Sequence, residues 1–189
     1  MIFEILQVIK EEINGYLDVN PVTLENIANV DQEGDADTNG VVLTLLNTQE
    51  ETTLKNVSNT SINGTDVSYK NPKVNLNLYL LFSANNSSYT ESLKSLSKVI
   101  QFFQGKRIFT QSNTNFQRAD DEMKNLKNFH FRMDLFTPSF EELNFIWGTL
   151  GGKQFPSAIY KVSLIEIERD ILLGQGTVIS GLGTNLNNN

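Results

Sequence analysis

The stretch Lys73-Val-Asn-Leu-Asn-Leu-Tyr-Leu-Leu-Phe82 decides the fold class, together with the helical pattern that follows it. Apolar side chains at every second position of this stretch predict a β-strand with one wholly apolar face. A strand of this kind must bury that face against another layer of secondary structure. The face consists of Val74, Leu76, Leu78, Leu80 and Phe82.

A helix is predicted directly after this strand. Ser88-Tyr-Thr-Glu91 has the form of a capping box, in which a serine hydroxyl and a glutamate satisfy free N–H groups of the first turn. Gly105 is a plausible end. Spacings of four and three residues predict one buried stripe along this helix, formed by Tyr89, Leu93, Leu96, Ile100 and Phe103.

The segments on either side complete an order of α-β-β-β-α-β-α-β. Further helices are predicted from Ile2 to about Gly15, and from Thr137-Pro138 with Leu143, Ile146, Trp147 and Leu150 as the buried stripe. The remaining strands are predicted at Leu24–Val30, Val41–Leu46, Phe129–Leu135 and Ile159–Glu168. This order predicts an α/β (α+β) fold with a single mixed β-sheet flanked by helices.

Two segments fall outside that pattern. Residues 48–68 are rich in Asn, Ser and Thr and are predicted to form a variable polar loop or an irregular hairpin within a domain of residues 1–170. Residues 171–189 are rich in Gly and Asn and are predicted to be a flexible, extended C-terminal arm. Its apolar and β-branched residues could add a strand to another subunit's sheet, although a frayed terminus is the alternative. These candidate partner-binding residues are Ile171, Leu172, Leu173, Thr177, Val178 and Ile179.

Composition excludes several partners. Lysine and arginine number 15 and aspartate and glutamate 22, so the net charge is 15 − 22 = −7, which disfavours binding to the nucleic-acid backbone. No apolar run approaches the roughly 20 residues of a membrane span, and the N-terminal stretch lacks the basic region of a signal peptide. The absence of cysteine excludes disulfides and thiolate sites and suggests folding in a reducing cytoplasm.

No catalytic, cofactor-binding or metal-binding residue is predicted, and the chain is not expected to be an enzyme. The single histidine, His130, lies on the polar side of a predicted strand without a nucleophile pattern nearby. Asp35-x-Asp37-x-Asn39-Gly40 matches the start of a calcium loop, but Leu46 stands where that loop needs a bidentate glutamate. A turn between strands uses the same residue types, so turn chemistry is favoured over a bound cation.

The segments Asn75–Ala84 and Tyr89–Gln104 resemble the cap, or tube/sheath terminator, family of phage-tail-like extracellular contractile injection systems. Supporting segments occur in the same order, and the similarity covers most of residues 1 to 170. They are Gly40–Glu51, Glu141–Trp147, Phe155–Val162 and Leu164-Ile165. The resemblance implies the fold of phage tail terminator proteins.

The resemblance also implies a function. The chain would form a ring, expected to be hexameric, at the end of the particle distal to the baseplate, where it terminates the inner tube and anchors the last sheath ring. Its partners would be the inner tube protein, the sheath protein and other copies of itself, with no nucleic acid, membrane or cofactor. The particle would be assembled in the bacterial cytoplasm and then released. Alternatives are a baseplate or neck adaptor of the same machine, or a small-molecule-binding α/β domain.

Overall fold

A computed structural model describes residues 1–17, 21–30, 39–54, 60–63, 66–115, 123, 126, 129–167 and 172–177. The described helices are α1 (Ile2–Tyr16), α2 (Tyr89–Gly105) and α3 (Phe140–Thr149). The strands are β1 (Val22–Leu24), β2 (Gly40–Glu50), β3 (Thr60–Asn63), β4 (Asp66–Lys70), β5 (Val74–Asn85), β6 (Ile108–Thr110), β7 (His130–Phe136), β8 (Ser157–Ile167) and β9 (Leu172–Thr177). They fall into two compact units.

The larger unit comprises residues 1–50 and 76–165 and is built on a six-stranded sheet in the order β1-β2-β5-β8-β7-β6. β1 runs parallel to β2, whereas β2–β5, β7–β8 and β6–β7 are antiparallel. The predicted mixed sheet flanked by helices is therefore confirmed. β6 was not predicted, because three residues after a helix are too few to establish a period of two.

One face of this sheet carries α2 and an aromatic cluster. Phe82 of β5 lies 5.3 Å from the ring of Phe103 and 5.6 Å from that of Tyr160. Phe109 and Phe131, from the neighbouring strands β6 and β7, stack with their rings 5.0 Å apart. These side chains are almost completely buried and form the centre of the core.

The opposite face is covered by α3. Trp147 packs with Val42, Leu81 and Ile159, while Leu143, Ile146 and Leu150 border this cluster. Of the predicted buried stripe, Trp147 is buried, and the other three side chains are partly buried against the same cluster. Leu80, Leu81 and Phe82 are all fully buried, so the centre of β5 is covered on both faces, by α2 on one and by α3 on the other.

The start of α3 differs by two residues from the prediction. Pro138 does not occupy the first helical position, because Ser139 is the N-cap. The Ser139 hydroxyl accepts from the Glu142 N–H at 3.2 Å, and the Glu142 carboxylate accepts from the Ser139 N–H at 2.8 Å. This reciprocal pair is a complete capping box and fixes where the helix begins.

The predicted strand Leu24–Val30 is wrong beyond its first residue. β1 ends at Leu24, and a 3-10 helix occupies Ile27–Asn29. Thr44 of β2 holds this bend: its buried hydroxyl donates to the Glu25 carbonyl at 2.7 Å and accepts from the Ile27 N–H at 3.0 Å. A side-chain bond of this kind replaces the ladder bonds that a longer strand would make.

We expect Thr44→Val to lower the free energy of unfolding by about 1–3 kcal/mol, because it leaves a buried N–H and a carbonyl without their partner. Valine keeps the volume and the branching at Cβ, so packing changes little. Equilibrium urea unfolding measures the loss. Thr53→Val, at an exposed site where the hydroxyl bonds only to Glu51, is the matched control. Equal effects at both positions would contradict this role for Thr44.

The prediction for α2 is correct in extent but wrong in orientation. The buried side chains are Ser92, Ser95, Val99, Phe102 and Phe103. Of the predicted buried stripe, Tyr89, Leu93 and Ile100 are exposed. Ser88 caps the helix through the Glu91 N–H, whereas the Glu91 carboxylate pairs with Lys94 Nζ at 2.8 Å. The helix therefore has two apolar stripes, and only one of them faces the sheet.

The smaller unit comprises residues 51–75 and 166–189, of which the described part is a three-stranded sheet in the order β3-β4-β9. Both pairings are antiparallel. Residues 60–63 and 66–70 form the two antiparallel strands of the hairpin alternative, and β2 extends the first sheet to Glu50. Residues 172–177, which were predicted to belong to a flexible arm, form β9. The smaller unit therefore combines residues on both sides of position 170, where the sequence analysis placed a boundary.

Candidate assembly surfaces

In the part of the chain that the structure describes, the polar side chains that could carry chemistry do not come together at one site. His130 is exposed at the start of β7, and Arg132 pairs with Asp134 at 2.9 Å on the same strand. Glu166 pairs with Lys73 at 2.9 Å within the smaller unit. Asp35 and Asp37 lie outside the described residues. Gly40, the first residue of β2, has a φ of 143°, in the region that favours glycine.

Within the ranges that the structure describes, no three His, Asp or Glu side chains come together as metal ligands. None of the described helices combines the length and apolarity needed to cross a membrane. The features that remain are apolar surfaces and strand edges, which are the means by which subunits pack against each other.

The first apolar surface is a groove of about 830 Å³ in the larger unit, named the Phe140 groove after the residue at its rim. Its walls come from α2, from the segment between β7 and α3, and from the start of β8. Phe140 is 93% exposed, Tyr89 70% and Leu135 56%. These three side chains project from the rim, and the other apolar lining residues are Ile100, Phe136, Pro138, Leu143, Phe155, Pro156, Ala158 and Ile159.

The sequence contained a signal for this groove. Tyr89, Leu93, Leu96 and Ile100 are spaced by four, three and four residues, which is typical of a helix-packing seam. That spacing is the same whether the seam faces the chain's own sheet or another helix, so the sequence pattern alone led to the wrong face. Phe140 carried no periodic signal and was missed. Leu135 ends the predicted strand Phe129–Leu135, and the alternation of that strand did not indicate that its side chain would be exposed.

The second apolar surface is a groove of about 730 Å³ between α1, the β1–β2 edge and the end of α3, named the Phe3 groove. It exists because β1 is much shorter than β2: the three residues of β1 pair only with Val41–Leu43. Asn14 ties β1 to α1, since its Oδ1 accepts from the Val22 N–H at 2.6 Å. The apolar lining residues are Ile2, Phe3, Leu6, Leu24, Leu43, Leu45, Leu46 and Leu150.

The two grooves lie toward opposite edges of the six-stranded sheet. The Phe3 groove borders β1 and β2, whereas the Phe140 groove borders β7 and β8. They also lie at opposite ends of α3, because Phe140 is the first residue of that helix and Leu150 follows its last. The larger unit therefore presents two separate apolar grooves, one at each end of α3.

The predicted partner-binding arm is only partly described. Leu172, Leu173 and Thr177 belong to β9, where Lys70 is opposite Leu172 and Asp66 is opposite Thr177. Ile171, Val178 and Ile179 lie outside the described residues. Within the described sheet, β9 pairs on one side only, with β4.

The fold defined by this sheet and its helices is that of tube terminators of contractile particles. The chain is similar to a solved sheath/tube terminator of PVC, an extracellular contractile injection system in its extended state, with a TM-score of 0.68 and 13% identity over 100% of this chain. It is also similar to the tube-terminating cap of the anti-feeding prophage, with a TM-score of 0.62 and 14% identity over 97% of this chain. The chain spans 64% and 59% of the lengths of those two proteins.

The family follows from the sequence itself. Residues 4–180 match the Pvc16 N-terminal domain, and the chain belongs to that family. The resemblance to the tube/sheath terminator family that was recognised in the sequence is thereby confirmed, together with the fold class that it implied. No protein of curated function matches the sequence.

Proposed function

We propose that this chain is a structural cap of a contractile injection particle, forming a ring at the baseplate-distal end that terminates the inner tube and anchors the last sheath ring. The observation that carries the proposal is the likeness of the whole chain, and not of one motif, to two terminators. The ring is expected to be a hexamer of this chain. It is assembled in the bacterial cytoplasm and leaves the cell as part of the released particle.

The physical argument concerns how a polymer stops. A tube grows as long as its last layer offers a copy of the surface to which the next layer binds. A closed ring of another protein ends growth, because it binds that surface and offers a different one. A terminator therefore needs shape and subunit contacts and no reactive centre. Two apolar grooves at opposite ends of α3 can supply contacts of this kind.

The C-terminal segment is the proposed sheath contact. Its strand β9 already extends a small sheet within the chain, and Val178 and Ile179 follow it with β-branched side chains. An extended segment of this composition can add a strand to the edge of a sheath subunit's sheet through backbone hydrogen bonds. This contact would hold the last sheath ring to the cap while the sheath contracts.

Electron microscopy of particles from cells lacking this chain tests the proposal. We expect tubes and sheaths of uncontrolled length, which return to a uniform length when the wild-type chain is supplied. Tubes of normal, uniform length in its absence would rule the terminator out. Uniform tubes that fail to attach to the rest of the particle would instead favour the adaptor alternative.

The same experiment separates the arm from the cap. A chain with Val178→Asp and Ile179→Asp keeps β9 and should still give tubes of uniform length. Its sheaths should detach from the distal end on contraction. The doubly substituted Asn187→Asp, Asn188→Asp chain adds the same charge at the extreme C-terminus and is the matched control. Sheaths that stay attached in the Val178→Asp, Ile179→Asp variant would contradict the proposed role of the arm, and the proposal that the chain terminates the tube would still stand.

A further inference from the structure

Copies of this chain join, we infer, through one heterologous contact, in which the Phe140 surface of one copy inserts into the Phe3 groove of the next. The Phe140 surface is the trio Tyr89, Leu135 and Phe140, which projects from the rim of the Phe140 groove. The inference rests on the proposed ring and names the surfaces that build it.

The exposed area on the Phe140 surface is the first argument. An aromatic side chain carries about 150–250 Å² of buriable surface. With Phe140 93% and Tyr89 70% exposed, and Leu135 beside them, the three expose on the order of 400 Å² of apolar area. A standard interface buries about 800 Å² per partner, somewhat more than half of it apolar. One such surface therefore provides the apolar centre of a complete interface.

Complementary shape is the second argument. The Phe3 groove is open, about 730 Å³ in volume and lined mostly by aliphatic side chains, among them Leu6, Leu24 and Leu150. Phe3 itself is about half exposed at its edge. An aromatic side chain that projects from one surface fits a groove of this kind, and burying it there removes both apolar areas from water. The protruding surface and the receiving groove are present on the same chain.

The placement of the two surfaces selects a second copy of this chain as the occupant. A self-complementary, two-fold contact would use one patch twice and would stop at a dimer. Here the two patches are different, lie toward β7–β8 and toward β2–β1, and are separated by the length of α3. Ten helical residues span about 15 Å. A head-to-tail contact between such patches continues from copy to copy and closes into a ring when the rotation permits.

Introducing a negative charge into each half of the contact tests it. Phe140→Asp removes the protruding side, and Phe3→Asp blocks the receiving side; both residues are exposed enough for the fold to tolerate aspartate. Native mass spectrometry measures the assembly of each purified chain, alone and on tubes formed from the inner tube protein. Each variant should weaken association by about 30-fold or more, as substitution at the centre of an interface does. Phe145→Asp, 65% exposed on the same helix but lining neither groove, should assemble like the wild type.

The mixture of the two variants is the decisive measurement. A Phe140→Asp copy keeps its Phe3 groove, and a Phe3→Asp copy keeps its Phe140. A 1:1 mixture should therefore yield a dimer with one copy of each and no larger species. Unchanged rings from Phe140→Asp, or a mixture that stays monomeric while the wild type forms rings, would overturn this contact and leave the terminator function standing. A wild-type chain that forms no ring even on tubes would overturn the contact and the proposed ring together.

Discussion

Replacing Phe82 by alanine should lower the free energy of unfolding of the larger unit by about 3–5 kcal/mol, the range observed for large aromatic residues in protein cores. Phe82 is fully buried, and its ring lies edge-on to Phe103 at 5.3 Å and to Tyr160 at 5.6 Å. Alanine removes these contacts and leaves a cavity between α2 and two strands, which the packed sheet cannot close. For a domain stable by 5–15 kcal/mol, that is a large fraction.

Urea unfolding followed by the fluorescence of Trp147 measures this loss. Trp147 is the only tryptophan in the chain and is buried on the opposite face of the same sheet, so its signal reports the unfolding of the unit that contains Phe82. Phe145→Ala is the matched control, because Phe145 is 65% exposed and surface truncations change stability by about 0.5 kcal/mol or less. If the urea midpoint of Phe82→Ala shifted no more than that of the control, Phe82 would not be part of the core.

The strand that contains Phe82 was predictable because its pattern is local. Alternation over Lys73–Phe82 requires a strand whatever the rest of the chain does, and α1, α2 and α3 were likewise recovered from stripes and end signals. Their order was enough to predict a mixed sheet with helices. The family resemblance added the expectation of a terminator fold. That resemblance depended on the order of several segments and not on any single motif.

The side on which a helix packs was less predictable than the residues at which it begins and ends. On α2, the stripe that contains Tyr89, Leu93 and Ile100 is more apolar than the side that faces the sheet, where Ser92 and Ser95 are buried. The small serines allow the helix to approach β2 and β5 closely, while Val99, Phe102 and Phe103 fill the aromatic cluster. A hydrophobic period shows where apolar stripes lie, but it does not show which of two stripes packs against the chain's own sheet.

The pairing of distant segments was the least predictable feature. β9 pairs with β4 across roughly one hundred intervening residues, and Tyr69 and Val67 of β4 stand opposite Gly174 and Gly176. Glycines weaken a strand's own propensity, so this segment was predicted to be a flexible arm. Opposite a large side chain, however, a residue without one leaves room in the pair. Such complementarity exists only between the two strands and is invisible in either of them alone.

Raising the pH should destabilise the fold through Tyr160. Burial raises the pKa of Tyr160 to about 12 from an ordinary value of 10, although the charge of Arg107 opposes this shift. Because the folded state holds the proton more tightly, the neutral phenol contributes its full stability below pH 10, and that contribution is lost as the pH rises toward 12. A shift of two units corresponds to at most about 2.7 kcal/mol, of which about half is lost by pH 11.

Comparison with Tyr160→Phe isolates this effect from every other group that titrates. Phenylalanine keeps the ring contacts with Phe82 and Phe103 and has no proton to lose, so both proteins share all remaining alkaline titrations. The difference between their free energies of unfolding, measured in urea at pH 8, 10 and 11, should therefore move in favour of phenylalanine by about 1.4 kcal/mol between pH 8 and 11. A difference that stays constant over this interval would mean that water reaches the phenol, and that β8 and α2 do not close over the aromatic cluster as tightly as the position of Tyr160 requires.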